Sequence, residues 1–342
     1  MTRQRLPTIR DVALRAGVSP GTVSRVTSGR RGIAKETRRR VLAAVHELGY
    51  TPHPAATRLS TGRSLVIAVI VPFSTRPSVS ERLNGVVTSL AETPYDLLIH
   101  NVETPQQRAR LFSHVSRQRH ADGVLIISLS PRDAEVPGLV ESRVPVVLID
   151  ADHSALTALS RVVVDDEAGG HAATAHLVAL GHTRIGFLGD AVDTAFGFTS
   201  SRDRCHGYRR ALSEAGLEPH PGDCVTGEHG RAQARSLARR LLGPARRPTA
   251  LVAASDTQAV GALEAARELG LRVPEELSVV GYDDIEIAEV LGLTTVRQPL
   301  QHSGRRGAEL LLAHLRDPGT APVREVLPTE LVERRTSAPP PP

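Results

Sequence analysis

Residues 8–25, TIRDVALRAGVSPGTVSR, leave little freedom in what the start of this chain can form. Thr8 stands three residues before Asp11, the spacing at which a hydroxyl and a carboxylate cap a helix start reciprocally. Gly17 is placed to take the left-handed conformation that ends a helix, after which Val18 turns inward. Ser19 is a good N-cap, and Pro20 falls at the first helical position, where its missing N–H costs nothing. Val12, Ala13, Ala16, Val18, Val23 and Val26 would pack two short helices at a steep angle. This spacing predicts a helix-turn-helix, whose second helix enters the major groove of DNA. A generic helical hairpin at the start of a soluble enzyme shares the local pattern, and charge separates the two readings. Residues 1–63 carry thirteen Lys/Arg against three Asp/Glu, whereas the rest holds 29 basic and 34 acidic residues. A basic head on an acidic body is the electrostatic mark of a nucleic-acid-binding module.

A third helix is predicted from Lys35 to Leu48, with Val41, Leu42, Val45 and Leu48 on one face and Gly49 as its C-cap. Ala34 has no side chain with which to cap it. The triplet Arg38, Arg39, Arg40 is either a solvated face or includes one phosphate contact. In residues 51–63, Pro52 and Pro54 break the preceding helix, while Ala55, Ala56 and Leu59 allow one short new helix. A helix so short is marginal alone, so this segment reads either as a flexible linker or as one that orders on DNA.

Beyond residue 63 the pattern changes. Apolar, β-rich runs at 64–73, 95–102, 122–129, 144–150, 161–166, 184–189, 250–255 and 277–284 alternate with helical stretches such as 167–181 and 257–270. Buried strands alternating with amphipathic helices indicate parallel α/β sheets covered on both faces. Some 270 residues is long for one such sheet, so two lobes are expected. Asp150, Asp256 and Asp283 follow strand carboxyl ends, where ligands of open α/β lobes bind. Carboxylates accept from vicinal hydroxyls and arginine donates to others, a pairing suited to a polyol. The competing reading for a strand-end Asp is an N-cap, which applies to Asp256 and Asp284. Cys205 and Cys224 are the only cysteines, too few for a disulfide framework or a zinc site. The fourteen histidines are dispersed, and His171 and His176, five apart, share no helix face, so no metal is expected. No apolar run reaches a transmembrane length, and MTRQRLPTIRD lacks the apolar core of a secretory signal.

AGVSPGTVSRV at 16–26, continued by ETRRRVLAAVHELGYTPHPAATRLSTGRS at 36–64 and more weakly as far as LPTELVERRTS at 327–337, resembles the LacI-type (lac repressor/galactose repressor) family of bacterial transcription regulators. The resemblance implies an all-α helix-turn-helix head on a periplasmic-binding-protein-like core of two parallel-sheet lobes. It divides the chain into a head (1–50), a hinge helix (51–63), a first lobe (64–162 with 293–323), a second lobe (163–292 with 324–337) and a Pro-rich tail (338–342). It further implies a cytoplasmic homodimer that represses from a palindromic double-stranded operator, controlled by a small-molecule effector, a saccharide, between the lobes. The base-reading positions fall at Pro20, Gly21 and Arg25, of which only Arg25 can fork onto guanine. Thr8, Ser19, Thr22, Ser24, Arg30, His53 and Ala56 complete the implied DNA-contacting set. Leu59 matches the leucine wedge that kinks the operator centre.

For the effector, Arg204 matches the family's effector arginine, and Asp150 and Asp283 its acids. Ser255 and Gln298 match small polar or amide positions, and His229 falls where relatives place an aromatic. Arg204 could instead pair with Asp203 or Asp193. Many relatives follow the first strand with Asp-x-x-Asn-Pro-Phe-Phe, where this chain has Phe73-Ser74-Thr75-Arg76-Pro77-Ser78-Val79. Stacking on a sugar would then rely on Phe73, Phe196, Phe198, Tyr282 or His229, and a purine has few partners. That departure keeps open a repressor that binds no ligand. A sugar-binding or transport module would have no use for the basic head. An enzyme is not indicated: there is no P-loop, no G-x-S-x-G and no dinucleotide fingerprint, Gly169-Gly170 being an isolated pair. After Arg335 only TSAPPPP follows, which supports no zipper-made tetramer.

Overall fold

The computed structural model describes residues 7–27, 32–50, 63–115, 120–191, 195–243 and 247–342. The chain divides into two units, residues 1–66 with 119–122, and the remainder.

The first unit holds α1 (Ile9–Ala16), α2 (Pro20–Thr27) and α3 (Lys35–Leu48). The capping box forms: the Thr8 N–H donates to Asp11 at 2.7 Å and the Asp11 N–H to the Thr8 hydroxyl. Gly17 adopts φ 64°, letting the Val18 N–H reach the Ala13 carbonyl at 3.0 Å and turn the chain into α2. Val12, Ala13, Ala16, Val23, Val26, Val41, Ala44 and Tyr50 form the core. The apolar stripe of α3 runs through Val41, Ala44, Val45 and Leu48, the helical spacing i, i+3, i+4, i+7. Leu42, expected on that face, is 49% exposed instead, because one residue's rotation carries it off the stripe.

Among the described residues the second unit contains two six-stranded sheets. The first comprises β1 (Val66–Pro72), β2 (Asp96–Val102), β3 (Gly123–Ile127), β4 (Val146–Ile149), β5 (Ser160–Val164) and β11 (Arg324–Leu327), in the order β11-β5-β4-β3-β1-β2. Its helices are α4 (Pro77–Leu90), α5 (Pro105–Val115), α6 (Val136–Val140) and α12 (Leu300–Arg316). One face of this sheet, Ile67, Val69, Val71, Leu125, Ile127, Val147 and Ile149, packs on Val79, Leu83 and Val86 of α4 and Leu311 of α12.

The second sheet comprises β6 (Ile185–Asp190), β7 (Cys224–Gly227), β8 (Ala250–Ala253), β9 (Ser278–Asp283), β10 (Thr294–Arg297) and β12 (Glu330–Val332), in the order β12-β10-β9-β8-β6-β7. Among the described residues its strands pair in parallel, except that β12 runs antiparallel to β10. Alternate residues feed opposite faces, as a strand's period of two requires. Phe187, Val252, Val280 and Tyr282 meet α7 (Asp166–Ala179) and α8 (Ser200–Glu214). Leu188, Leu251, Ala253 and Val279 meet α9 (Arg231–Leu242) and α10 (Asp256–Glu268), and α11 (Glu286–Leu291) follows β9.

Among the described residues the chain passes between the sheets at three places: after β5, after β10 and after β11. The expected division needs two corrections. Residues 294–297 belong to the second lobe, not the first, because β10 pairs with β9. Residues 324–327 belong to the first, because β11 pairs with β5. The expected tail at 338 is also partly built in, since the Ala338 carbonyl accepts from Ser278 and His182.

Candidate functional site

In the head, α2 presents Ser19, Pro20, Gly21 and Arg25 to solvent, with Thr22 and Ser24 half-buried. The Ser19 hydroxyl caps α2, accepting the Thr22 N–H at 3.2 Å. The Arg25 guanidinium lies back along its own helix, its Nε 3.4 Å from the Gly21 carbonyl. Thr8 is engaged in the capping box. Arg39 pairs with Glu36 and Arg15 with Glu47, so α3 presents charge that is partly neutralised. Arg30, His53, Ala56 and Leu59 lie outside the described residues.

In the second unit, strand ends from both sheets converge on one cleft. Asp150, at φ 55° just past β4, accepts from the Ser128 hydroxyl at 2.7 Å and pairs with Arg82 of α4 at 3.0 Å. The Arg82 Nη2 also donates to Gln298 at 2.8 Å, and the Gln298 amide donates to Asp283. Asp283 lies 3.6 Å from Arg204, whose Nε donates to Asp166 at 2.8 Å and whose Nη1 donates to the Ala254 carbonyl. The Arg204 guanidinium covers the Tyr282 ring at 3.7 Å. The result is one chain of charges and hydrogen bonds running from the first sheet through the residue 298 crossing into the second. Beside it, Asp190 at the end of β6 accepts from Gln258 at 2.9 Å and faces His229 at 3.2 Å.

Burial dominates the electrostatics of this network. It raises the Asp166 carboxyl to about 6, against the pull of Arg204, and raises Asp283 in the same direction. Burial works against the Arg204 charge, but Asp166, Tyr282 and Asp283 outweigh it and hold the cation.

Near the cleft, Phe73 and Phe198 both pack on Phe196, at ring distances of 5.3 and 5.4 Å, and Arg76 lies 4.1 Å over the Phe73 ring. Arg108 and Arg132 of the first lobe donate to the carbonyls of Phe196 and Ala195 in the second. The space left between the cleft walls is about 60 Å³. Binding pockets for small organic ligands run from about 300 Å³ upward, so a ligand of sugar size has to part these walls.

The structure therefore brings together Asp150, Arg204, His229, Ser255, Asp283 and Gln298, with Phe198 on the same wall and Phe73 outside it, tilted against the Phe196 ring that stacks on Phe198. Asp256 is the exception. It is fully buried away from the cleft, accepting from the Ile285 N–H at 2.9 Å and the Thr295 hydroxyl at 2.6 Å. Both its oxygens are committed to joining α10, β10 and the start of α11, and Ser255 rather than Asp256 is the helix cap. Asp284 is no cap either: it holds Arg297 and Arg334, each at 2.7 Å. Tyr282 cannot stack on a ligand, being buried beneath Arg204. Arg204 pairs with Asp166, while Asp203 takes Arg202.

Sequence reasoning missed Arg82, Asp166 and Asp190. The strand-end rule would have found Asp190, which closes an apolar run as Asp150 does. Nothing in the sequence singled out Arg82, a mid-helix arginine. The exposed helix face and the two-lobed cleft agree with the comparisons. Residues 8–53 match the model for bacterial regulatory proteins of the lacI family, and residues 174–337 that for a periplasmic binding protein-like domain. The chain is 32% identical over 319 residues to an HTH-type transcriptional repressor PurR of Aliivibrio salmonicida, covering 91% of this chain and 93% of that one. The solved transcriptional regulator CelR–cellobiose complex is 33% identical, with 96% of this chain and 99% of that one covered and a TM-score of 0.72. The lac repressor dimer bound to operator and the anti-inducer ONPF superimposes at a TM-score of 0.85, with 26% identity and coverage of 98% and 100%. The chain belongs to the lacI family of bacterial regulatory proteins.

Proposed function

We propose that the chain is a transcriptional repressor whose operator affinity is set by a saccharide held between the two lobes. The observation that carries this reading is the Asp150–Arg82–Gln298–Asp283–Arg204 network at the converging strand ends. Such a network offers carboxylate acceptors and guanidinium donors to the hydroxyls of a polyol from both lobes at once. The Arg82 Nε is buried and has no hydrogen-bond partner among the described residues, a donor a ligand oxygen would satisfy. The CelR–cellobiose complex supports the ligand class, and the operator-bound lac repressor dimer supports the DNA partner and the homodimer. Exposed apolar residues supply surface for a second copy: Val87, Leu98 and Ile99 in the first lobe, Ile287, Val290 and Leu291 in the second.

A sugar that needs more than the present space favours a different lobe arrangement from the one that excludes it. Effector and operator are then coupled, each weakening or strengthening the other by the same factor. Arg25 reads the half-site and Leu59 wedges the operator centre, as the family resemblance implies.

The test is a thermal-shift screen against mono- and disaccharides, sugar phosphates and nucleobases. A saccharide at a hundred times its dissociation constant stabilises the protein by ~2.7 kcal/mol, and Arg204→Ala removes that response while DNA binding persists. Silence across the panel leaves a repressor that binds no ligand and refutes the effector assignment. Stabilisation by nucleobases alone refutes the saccharide.

A further inference from the structure

We propose that Cys205 and Cys224 form a reversible modification site, closing to an intramolecular disulfide when hydrogen peroxide reaches Cys224. The two sulfurs are 3.6 Å apart, although nineteen residues separate them in the chain. Both are free thiols; Cys205 is buried on α8 and Cys224 is half-buried at the start of β7. β7 is the edge strand of its sheet, which gives a small oxidant access to Cys224 while Cys205 stays covered. The sulfurs need approach by only roughly 1.5 Å to reach bonding distance.

Chemistry assigns the order of events. The hydrogen bond between the two sulfurs, with Arg209 nearby, lowers the Cys224 pKa, whereas the same bond together with burial raises that of Cys205. Cys224 is thus the thiolate and nucleophile of the pair. Its sulfur attacks one peroxide oxygen, the O–O bond breaks, and the leaving hydroxide takes a proton to become water. The product is a sulfenic acid. The Cys205 sulfur then attacks that of Cys224, forming S–S and expelling hydroxide, which leaves as water with the Cys205 proton. Two thiols lose two electrons and the peroxide becomes two waters; a dithiol reductant reverses the bond.

The disulfide joins two elements that reach the cleft. Cys205 follows Arg204 on α8, and β7 leads through Gly227 to His229. Closing it ties the segment that carries His229 to the helix that carries Arg204. The bond stands independently of the effector reading; only its meaning for ligand control rests on it.

The experiment treats reduced full-length protein with hydrogen peroxide and follows intact mass and thiol titration. The expected result is loss of both thiols together, a mass loss of two hydrogens, no linked dimers, and full recovery with dithiothreitol. Addition of oxygen atoms to the wild type, intermolecular linkage, or two thiols that remain titratable overturns the site. Cys205→Ser accumulates a dimedone-trappable sulfenic acid, whereas Cys224→Ser is unreactive at the same dose; equal reactivity of Cys224→Ser overturns the choice of nucleophile. Hydrogen exchange needs neither variant. Amides at 227–230 exchange at least about tenfold more slowly after oxidation, and an unchanged rate in a disulfide-bonded sample overturns the link to the cleft.

Discussion

Replacing Gly170 with alanine tests whether the close approach of α7 and α8 holds Arg204 in place. A Cβ at residue 170 would stand 2.1 Å from the Arg204 carbonyl oxygen and 2.8 Å from its carbonyl carbon. Ordinary Cβ contacts begin at 3.4 Å, so the two backbones must part by about 1.3 Å. Every atom involved is backbone, so no rotamer change relieves the clash. Gly207 meets the Glu167 carbonyl in the same seam, which leaves the helices no slack. Overpacking of this kind costs ~3 kcal/mol at the upper end of its range. Alanine recovers about 1 kcal/mol of helix propensity, for a net loss of ~2 kcal/mol. In a protein of this size that is a fall in Tm of roughly 4 °C. The functional loss is larger. The Arg204–Asp166 bond spans this seam at 2.8 Å, and parting the helices carries it beyond hydrogen-bonding distance. Affinity for the saccharide that stabilises the wild type therefore drops at least about tenfold, the weight of one charge-assisted bond. Calorimetric titration and a thermal melt read the two effects separately. Gly138→Ala in α6 is the control: its Cβ meets nothing within 4 Å, and its Tm should hold or rise. Wild-type Tm together with wild-type affinity in Gly170→Ala would refute the reasoning.

Two further outcomes follow from the buried polar groups. Burial, and then the Asp283 charge, raises the Asp256 carboxyl to about 8. The native state then holds a proton the unfolded chain has released, so this group's stability is present below about pH 4 and lost as pH rises to about 8. Across that window the wild type should lose stability steadily relative to Asp256→Asn in urea unfolding. A gap that stays flat between pH 5 and 8 would contradict it. Gln298→Leu keeps the volume but removes the bridge between Arg82 and Asp283. It should cost ~3 kcal/mol in denaturant unfolding, and a loss below about 0.5 kcal/mol would show that water replaces the bridge.

Local pattern made the head legible. Thr8, Asp11, Gly17, Ser19 and Pro20 act through hydrogen bonds and backbone angles within a few residues of themselves, so their spacing contains the answer. The same holds for the eight apolar runs that became β1 to β6, β8 and β9. Outside those runs lie β7, β10, β11 and β12, each three or four residues long and written CVTG, TTVR, REVL and ELV. Pairing makes them strands, and pairing is not a local property. Misplacing residues 294–297 and 324–327 has the same origin, because lobe membership is decided by which neighbour a strand meets.

By itself the sequence determined the helix-turn-helix, the basic head, the alternation of strands and helices, and the strand-end acids Asp150 and Asp283. Only the tertiary structure decided that Asp256 serves the core and that Arg82, 216 residues from Gln298, completes the cleft. It also decided that the two cysteines, nineteen residues apart, touch, and that the isolated Gly169-Gly170 pair lies where a side chain would strike Tyr282 and Arg204. The physical reason is range. Caps, turns and amphipathic periods are settled over a few residues, whereas a carboxylate's role depends on which distant donors the fold delivers to it, and one sequence carries no direct record of those meetings.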